Sequence, residues 1–254
     1  MRNFLFFLIA LNLSTASAQS TFTSDGPIVN WTTGPWLITG AADGDGIPDS
    51  NDDIVVLSGH EVRWSGNRQC LSIQVNAGGT LRGPLNAYTG NSMRIFSDMN
   101  NEGNVLDEGE YYLSEGGTLS GDGLFDENIR FQFRRPSEIA NDVTLRIIFP
   151  GWIRIVSANL TNRGKLTLFS GGTISAASPS TKFSNRGELT IGTTNMASFI
   201  GSFRSHFPGS SVTMRLYPGG DVPIPDFGYY DLDFEFLASS YTVNSDLVVL
   251  NDLS

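Results

Sequence analysis

Asp43-Gly44-Asp45-Gly46-Ile47-Pro48-Asp49-Ser50-Asn51-Asp52-Asp53 places five aspartates within eleven residues, with glycines where the chain must fold around a central ion. Hard oxygen ligands at alternate positions suit calcium. Asp43 and Asp45 would point into one loop concavity, Ile47 would offer its main-chain carbonyl, and Asp52 would close the shell from the far end. Gly46 would supply the turn. The glycine and proline positions are not those of an EF-hand and no helical flanks surround the segment, so calcium here would be structural and not a trigger. A solvated acidic turn is the alternative.

A second acidic run, Asp98 to Glu110, opens with cation-loop spacing at Asp98, Asn100, Glu102 and Gly103, but Gly109 stands where the closing carboxylate belongs. It reads as a solvated loop, inside a glycine-punctuated acidic insertion over residues 97–128 that is expected to protrude. Catalysis needs an acid, base or nucleophile held together, and the histidines do not supply one. His60 follows Gly59 between two strand-like runs and His206 lies beside Phe207-Pro208, so both read as turn or corner residues. Arg134-Arg135-Pro136 is the one local basic cluster. An arginine base working with calcium on an acidic sugar would make a polysaccharide lyase, whereas Phe131-Gln132-Phe133 ahead of it reads as a strand ending in arginines. A glycosidase needs two carboxylates about 5 to 10 Å apart, and among 26 acidic residues the sequence selects no pair. Gly-Lys-Ser and Gly-x-Ser-x-Gly elements are absent. No residue is assigned a catalytic role.

The elements that must carry these groups announce themselves by repetition. Asn162 to Leu168 reads Asn-Arg-Gly-Lys-Leu-Thr-Leu and Asn185 to Ile191 reads Asn-Arg-Gly-Glu-Leu-Thr-Ile, a return after 185 − 162 = 23 positions. A unit this short cannot bury its own apolar face, so copies must stack into a continuous core. Short alternating runs read as strands: Ile54–Leu57, Glu61–Trp64, Leu71–Val75, Val143–Ile148, Trp152–Val156, Lys165–Leu168, Ser211–Leu216 and Tyr229–Phe236. Gly-Gly-Thr before an aliphatic residue recurs at Gly78–Leu81, Gly116–Leu119 and Gly171–Ile174, as corners at fixed points in a coil would. With 28 glycines and hardly any helix signal, the chain is expected to be all-β, a parallel β-solenoid. An antiparallel β-sandwich is the alternative, but it would not require repeated phrases. The two asparagines at equivalent turns are expected to form a side-chain ladder.

Arg2, the apolar run Phe4–Leu13 and Ala16-Ser17-Ala18 form a secretory signal peptide, too short in its apolar part to span a bilayer. Residues 1–18 are thus the signal, 19–60 an N-terminal cap region containing the 43–53 loop, and 61–254 the solenoid. No later segment is apolar enough to span a membrane. Cleavage removes Arg2 and leaves 16 − 1 = 15 basic against 26 acidic residues, a formal charge of 15 − 26 = −11. With Lys165 and Lys182 the only lysines and the arginines scattered, nucleic acid is not an expected partner. Cys70 is the single cysteine, so no internal disulfide can form; alternating with apolar neighbours, it reads as packing.

Asp-Gly-Asp-Gly-Ile-Pro-Asp-Ser-Asn-Asp resembles one copy of the thrombospondin type 3 calcium repeat, over about a dozen residues. The resemblance implies Asp43, Asp45, Asp49 and Asp52 as calcium ligands. The chain departs from it at Ala41, where the family has a further aspartate, and at Ile54, where it has a cysteine. Trp31 to Trp36, Asn51-Asp52-Asp53-Ile54-Val55-Val56, Ser58-Gly59-His60-Glu61-Val62 and Cys70-Leu71-Ser72-Ile73 resemble the opening of surface-exported, adhesin-like β-helix proteins of Bacteroidota. Gly209 to Thr213, Tyr229 to Asp233 and Asp246 to Leu250 look like later rungs of such proteins. That resemblance implies a right-handed parallel β-solenoid (β-helix) in a secreted or surface protein exported by type IX secretion, and the stop at Ser254 in mid-pattern suggests a fragment of a longer one. The expected function is structural or adhesive, with an extracellular glycan or another surface protein as partner, and Trp152, Tyr229 and Tyr230 as candidate contact aromatics. The alternative is a carbohydrate-active enzyme, a lyase or glycoside hydrolase, or a glycan-binding module on the same scaffold.

Overall fold

The computed structural model describes residues 19–40, 45–84, 90–107, 109–156, 158–169, 171–192, 202–205, 207–216, 228–236 and 248–253. Among them there is no helix. The chain begins with β1 (Ser20–Ser24), β2 (Ile28–Asn30) and β3 (Trp36–Gly40), and then winds. One turn is β4 (Asp53–Val56), β5 (Glu61–Arg63) and β6 (Arg68–Cys70); the next is β7 (Ser72–Val75), β8 (Thr80–Arg82) and β9 (Ser92–Ile95). There follow β10 (Met99–Asn101), β11 (Asn104–Leu106) and β12 (Glu110–Leu113), then β13 (Gly117–Ser120), β14 (Leu124–Phe125) and β15 (Arg130–Phe133). After these come β16 (Ser137–Ile139), β17 (Thr144–Ile147) and β18 (Trp152–Ile155), and β19 (Asn159–Asn162), β20 (Lys165–Leu168) and β21 (Thr173–Ala176). The last described strands are β22 (Lys182–Asn185), β23 (Glu188–Gly192), β24 (Ser202–Arg204), β25 (Ser211–Leu216), β26 (Gly228–Phe236) and β27 (Val248–Leu253).

Successive turns pair strand on strand, giving a β-solenoid of about seven turns with three faces. The first face is a ten-stranded sheet running β24-β22-β19-β16-β13-β10-β7-β4-β1-β3. The second is split between β14 and β17 into the sheets β14-β11-β8-β5-β2 and β17-β20-β23-β25-β26-β27. The third is β21-β18-β15-β12-β9-β6. Among the described strands every pair is parallel except β1 with β3, which excludes the antiparallel sandwich. β3 lies across β1, and Trp36 packs edge-on against Phe22 at 6.0 Å and Trp31 at 6.2 Å. It thereby covers a sheet edge that would otherwise offer unpaired amides.

Period-2 alternation drives the stacking, because each strand turns one set of side chains inward and the next turn must cover them. Ile54, Ile73, Met99, Leu119 and Ile139 form one inward column on the first face, and Leu166, Leu189, Val212 and Leu232 another on the second. Each is essentially buried. Cys70 belongs to this interior, where burial pushes its thiol well above the usual range and Asp53 and Asp52 add to the shift. A neutral, inaccessible thiol is packing material.

The twin Asn-Arg-Gly phrases lie directly over one another, Asn162 on Asn185 and Leu166 on Leu189. Asn162 Nδ2 donates to Asn185 Oδ1 at 2.8 Å, and Asn185 Nδ2 donates onward to Ser205 Oγ at 3.0 Å. Both asparagines are fully buried, so the expected ladder exists, and it runs inside the corner between the first and second faces. The glycine two residues on is required by approach of backbones: a Cβ on Gly187 would sit 2.3 Å from the Gly164 carbonyl oxygen, and one on Gly164 would sit 2.3 Å from that of Val143. Asn101-Glu102-Gly103 repeats the device, with Gly103 N–H donating to Asn101 Oδ1 at 3.2 Å.

Two expectations are corrected. Residues 97–128 do not protrude; β10 to β14 are ordinary rungs whose Met99, Val105, Tyr111, Leu113 and Leu119 are fully buried, while most of the acidic residues face outward or sit at corners. Strands of two to four residues separated by glycines hide their alternation from a linear reading. The Gly-Gly-Thr phrases do mark corners but not one equivalent corner: they join the first face to the second at Gly78, the third to the first at Gly116 and the second to the third at Gly171.

Candidate functional site

The acidic loop enters the first face through Asp53. Asp43 lies outside the described residues. Each remaining aspartate named for calcium has one carboxylate oxygen on a backbone amide: Asp45 Oδ1 accepts from Ile47 N–H, Asp49 Oδ1 from Asn51 N–H and Asp52 Oδ2 from Asp49 N–H, each at 2.8 Å. Asp52 is buried, and the indole of Trp31 donates to the Pro48 carbonyl at 3.3 Å, which ties the loop to the packed start of the solenoid. These are the side-chain-to-backbone turns that Asp favours. Among the described residues no three acidic, histidine or cysteine side chains converge on a point where a metal could sit.

The other sequence candidates separate. Asp98 accepts from Thr118 N–H at 2.7 Å on the next turn, so it stitches rungs together. His60 sits at a corner with its Nδ1 2.9 Å from Ser24 Oγ and 3.0 Å from the Ser24 carbonyl. His206 and the side chains of Tyr229 and Tyr230 lie outside what is described. Trp152 is half-buried on the third face, in register with Arg130 and Thr173.

That third face holds a feature the linear reading missed. Its outward positions align Gln69, Arg94, Tyr112, Gln132, Arg154 and Ser175 in a single column across β6, β9, β12, β15, β18 and β21. Arg134 and Arg135 follow the end of β15 and are exposed. Two adjoining clefts run along this surface. One, of about 280 Å³, is lined by Arg68, Ser92, Arg94, Tyr112 and Arg134; the other, of about 520 Å³, by Arg94, Glu115, Gln132, Arg134, Arg135 and Arg154. They share Arg94 and Arg134 and so form one groove.

The groove is held in shape by its own residues. Arg94 Nε donates to Ser114 Oγ at 2.8 Å, and its guanidinium lies 4.7 Å from the Phe96 ring centre. Arg134 lies 5.0 Å over the Tyr112 ring. In the amide orientation that satisfies both groups, Gln132 Oε1 accepts from Arg134 Nε at 2.5 Å and Nη2 at 3.0 Å. Tyr112 donates to Glu110 Oε2 at 2.5 Å, and burial together with that carboxylate pushes the phenol up to about 12. Among the described residues, Arg68, Arg94, Arg134 and Arg154 have no carboxylate within 4.0 Å, whereas Arg130 on the same face reaches Glu110 at 3.9 Å and Arg63, Arg82, Arg146 and Arg163 on the other faces each have at least one. A larger cleft, of about 700 Å³, lies at the corner of the second and third faces beside Trp31 and Trp64. The Trp64 indole N–H points inward to the Tyr111 hydroxyl at 3.3 Å.

Fold and groove together define an all-β parallel solenoid with a basic strip on an otherwise acidic chain. Comparison with known protein families, with curated proteins and with solved structures finds no match.

Proposed function

We propose that this is a secreted or cell-surface adhesion-type β-helix protein, a stiff spacer whose third face contacts an extracellular polymer, and that it catalyses no reaction itself. The observation that carries the reading is the register of the third face, where outward side chains repeat at every strand with a spacing of about 4.8 Å. A straight row of equivalent positions suits an extended, repeating ligand better than a compact one. The signal-like Phe4–Leu13 run and the resemblance to surface-exported Bacteroidota β-helix proteins support export, by type IX secretion. The Asp43–Asp53 loop is proposed as a structural calcium site in which Asp43, the Ile47 carbonyl and the remaining oxygens of Asp45, Asp49 and Asp52 hold the ion.

Labelled mature protein is expected to sediment with isolated cell-envelope polymers and to release neither reducing ends nor unsaturated uronides from acidic polysaccharides supplied with calcium. Turnover that disappears in Arg134→Ala would overturn this reading in favour of a lyase.

A further inference from the structure

The arginines of the third face stand against the charge of the molecule. A chain with 26 acidic and 16 basic residues has ample carboxylates to neutralise every arginine, and it does so at Arg63, Arg82, Arg146 and Arg163 on the other faces and at Arg130 on the third, though not at Arg186, which lies over the Phe207 ring. Along the groove, the one carboxylate that lines the clefts among the described residues, Glu115, lies 3.9 Å from Arg135, and Arg68, Arg94, Arg134 and Arg154 have no carboxylate within 4.0 Å. What holds Arg94 and Arg134 instead is neutral: a serine hydroxyl, an amide oxygen and two aromatic rings. Such contacts fix the planes of the guanidinium groups while leaving their charge uncompensated, and this is the condition for bidentate pairing with an incoming anion.

We propose that this groove binds an anionic polysaccharide, with Arg94, Arg134 and Arg154 pairing to successive carboxylates or sulfate esters along the polymer. The proposal rests on the polymer-contacting reading above and names its ligand class. From β9 to β18 the strip crosses four strands, about 14 Å at the spacing of a sheet, so it engages several sugar units at once. Ser92, half-buried beside Arg94, adds a hydroxyl of the kind that pairs with sugar hydroxyls, while the buried Ser114 and Gln132 hold the arginines in place. A nucleic acid fits less well. Single strands are held by open aromatic platforms, and here the Tyr112 ring is already covered by Arg134 and the Phe96 ring by Arg94.

Binding of the mature protein to immobilised polygalacturonate and to dextran sulfate, with neutral dextran and an oligodeoxythymidylate as comparators, tests this. The wild type is expected to bind at least one of the two anionic glycans and not dextran, with affinity falling as salt rises. The two arms tell carboxylate from sulfate recognition. Arg134→Gln with Arg154→Gln, both at exposed positions, is expected to weaken binding by about tenfold or more in a protein that still unfolds cooperatively, and Arg154→Gln alone, which leaves the Gln132–Arg134 hydrogen bonds in place, to weaken it at an unchanged melting temperature. Arg146→Gln on the second face is expected to leave binding as it was. Equal affinity in the double variant, or a preference for the oligonucleotide, overturns the proposal. Should the wild type sediment with envelope polymers yet ignore both anionic glycans, the ligand class falls while the adhesive reading stands; loss of sedimentation as well removes both.

Discussion

Asn185 shows what a single buried side chain does in a stacked fold. Its amide donates to the Gly187 carbonyl at 3.1 Å, to Ser205 Oγ at 3.0 Å and to the Ser211 carbonyl at 2.9 Å, and its Oδ1 accepts from Asn162 on the turn before, so it links three consecutive turns from inside a corner. Truncation removes these bonds from a buried corner, where the Gly187 carbonyl keeps another donor, Ser211 N–H at 3.0 Å, and a buried polar group left unsatisfied costs about 1–3 kcal/mol. Asn185→Ala is therefore expected to lose about 2–3 kcal/mol in denaturant unfolding. A loss below about 0.5 kcal/mol, the range of an ordinary surface change, would show that the ladder is decorative. Asn162 is the partial counter-example, since its Oδ1 is buried without a partner where the ladder stops at Ile139.

At the scale of the element, corners decide which glycines are replaceable. Gly59 has φ +76° and open space around a built Cβ, so alanine there meets only backbone strain, about 1 kcal/mol. Gly187 has no such strain, but its Cβ would meet the Gly164 carbonyl oxygen at 2.3 Å and the Arg163 carbonyl oxygen at 2.4 Å, so one rung cannot lie on the next without a backbone shift. Gly187→Ala is expected to destabilise several times more than Gly59→Ala, measured as midpoint shifts at constant m-value. The reverse order would mean that the rungs are not in the contact described.

For the whole molecule, stability is close to a sum of turn and interface contributions, each turn touching only its neighbours. The acidic loop lies at the start of the stack, between β3 and β4, where a bound ion would resist fraying of the first turns. Calcium is expected to raise the melting temperature of the mature protein, and Asp45→Ala with Asp52→Ala to abolish that increment. Because Asp52 is buried and already accepts from Asp49 N–H, this variant is also expected to melt lower without calcium, so the increment and not the absolute value is the readout. A melting temperature indifferent to calcium in the wild type would leave the loop as a set of aspartate turns.

How much of this was legible without coordinates follows from what is local. The parallel stack, most of its strands, the Asn ladder and the buried Cys70 could be read from alternation, from the repeated Asn-Arg-Gly phrase and from glycine, because inward packing and close backbone approach constrain residues two or three apart. Phase between turns is not local. The step from Ile54 to Ile73 is 73 − 54 = 19 residues and that from Ile73 to Met99 is 99 − 73 = 26, the difference being absorbed in corners whose length no periodicity sets. The phrases Met93-Arg94-Ile95 and Ile153-Arg154-Ile155 each announced one outward arginine, yet only the folded register put both on one face beside Arg134. The same uncertainty of phase made residues 97–128 look like an insertion when they are wall. Composition and alternation dictated a solenoid; the order in which its outward charges line up depended on long-range hydrogen bonding between turns, which no short window of residues contains.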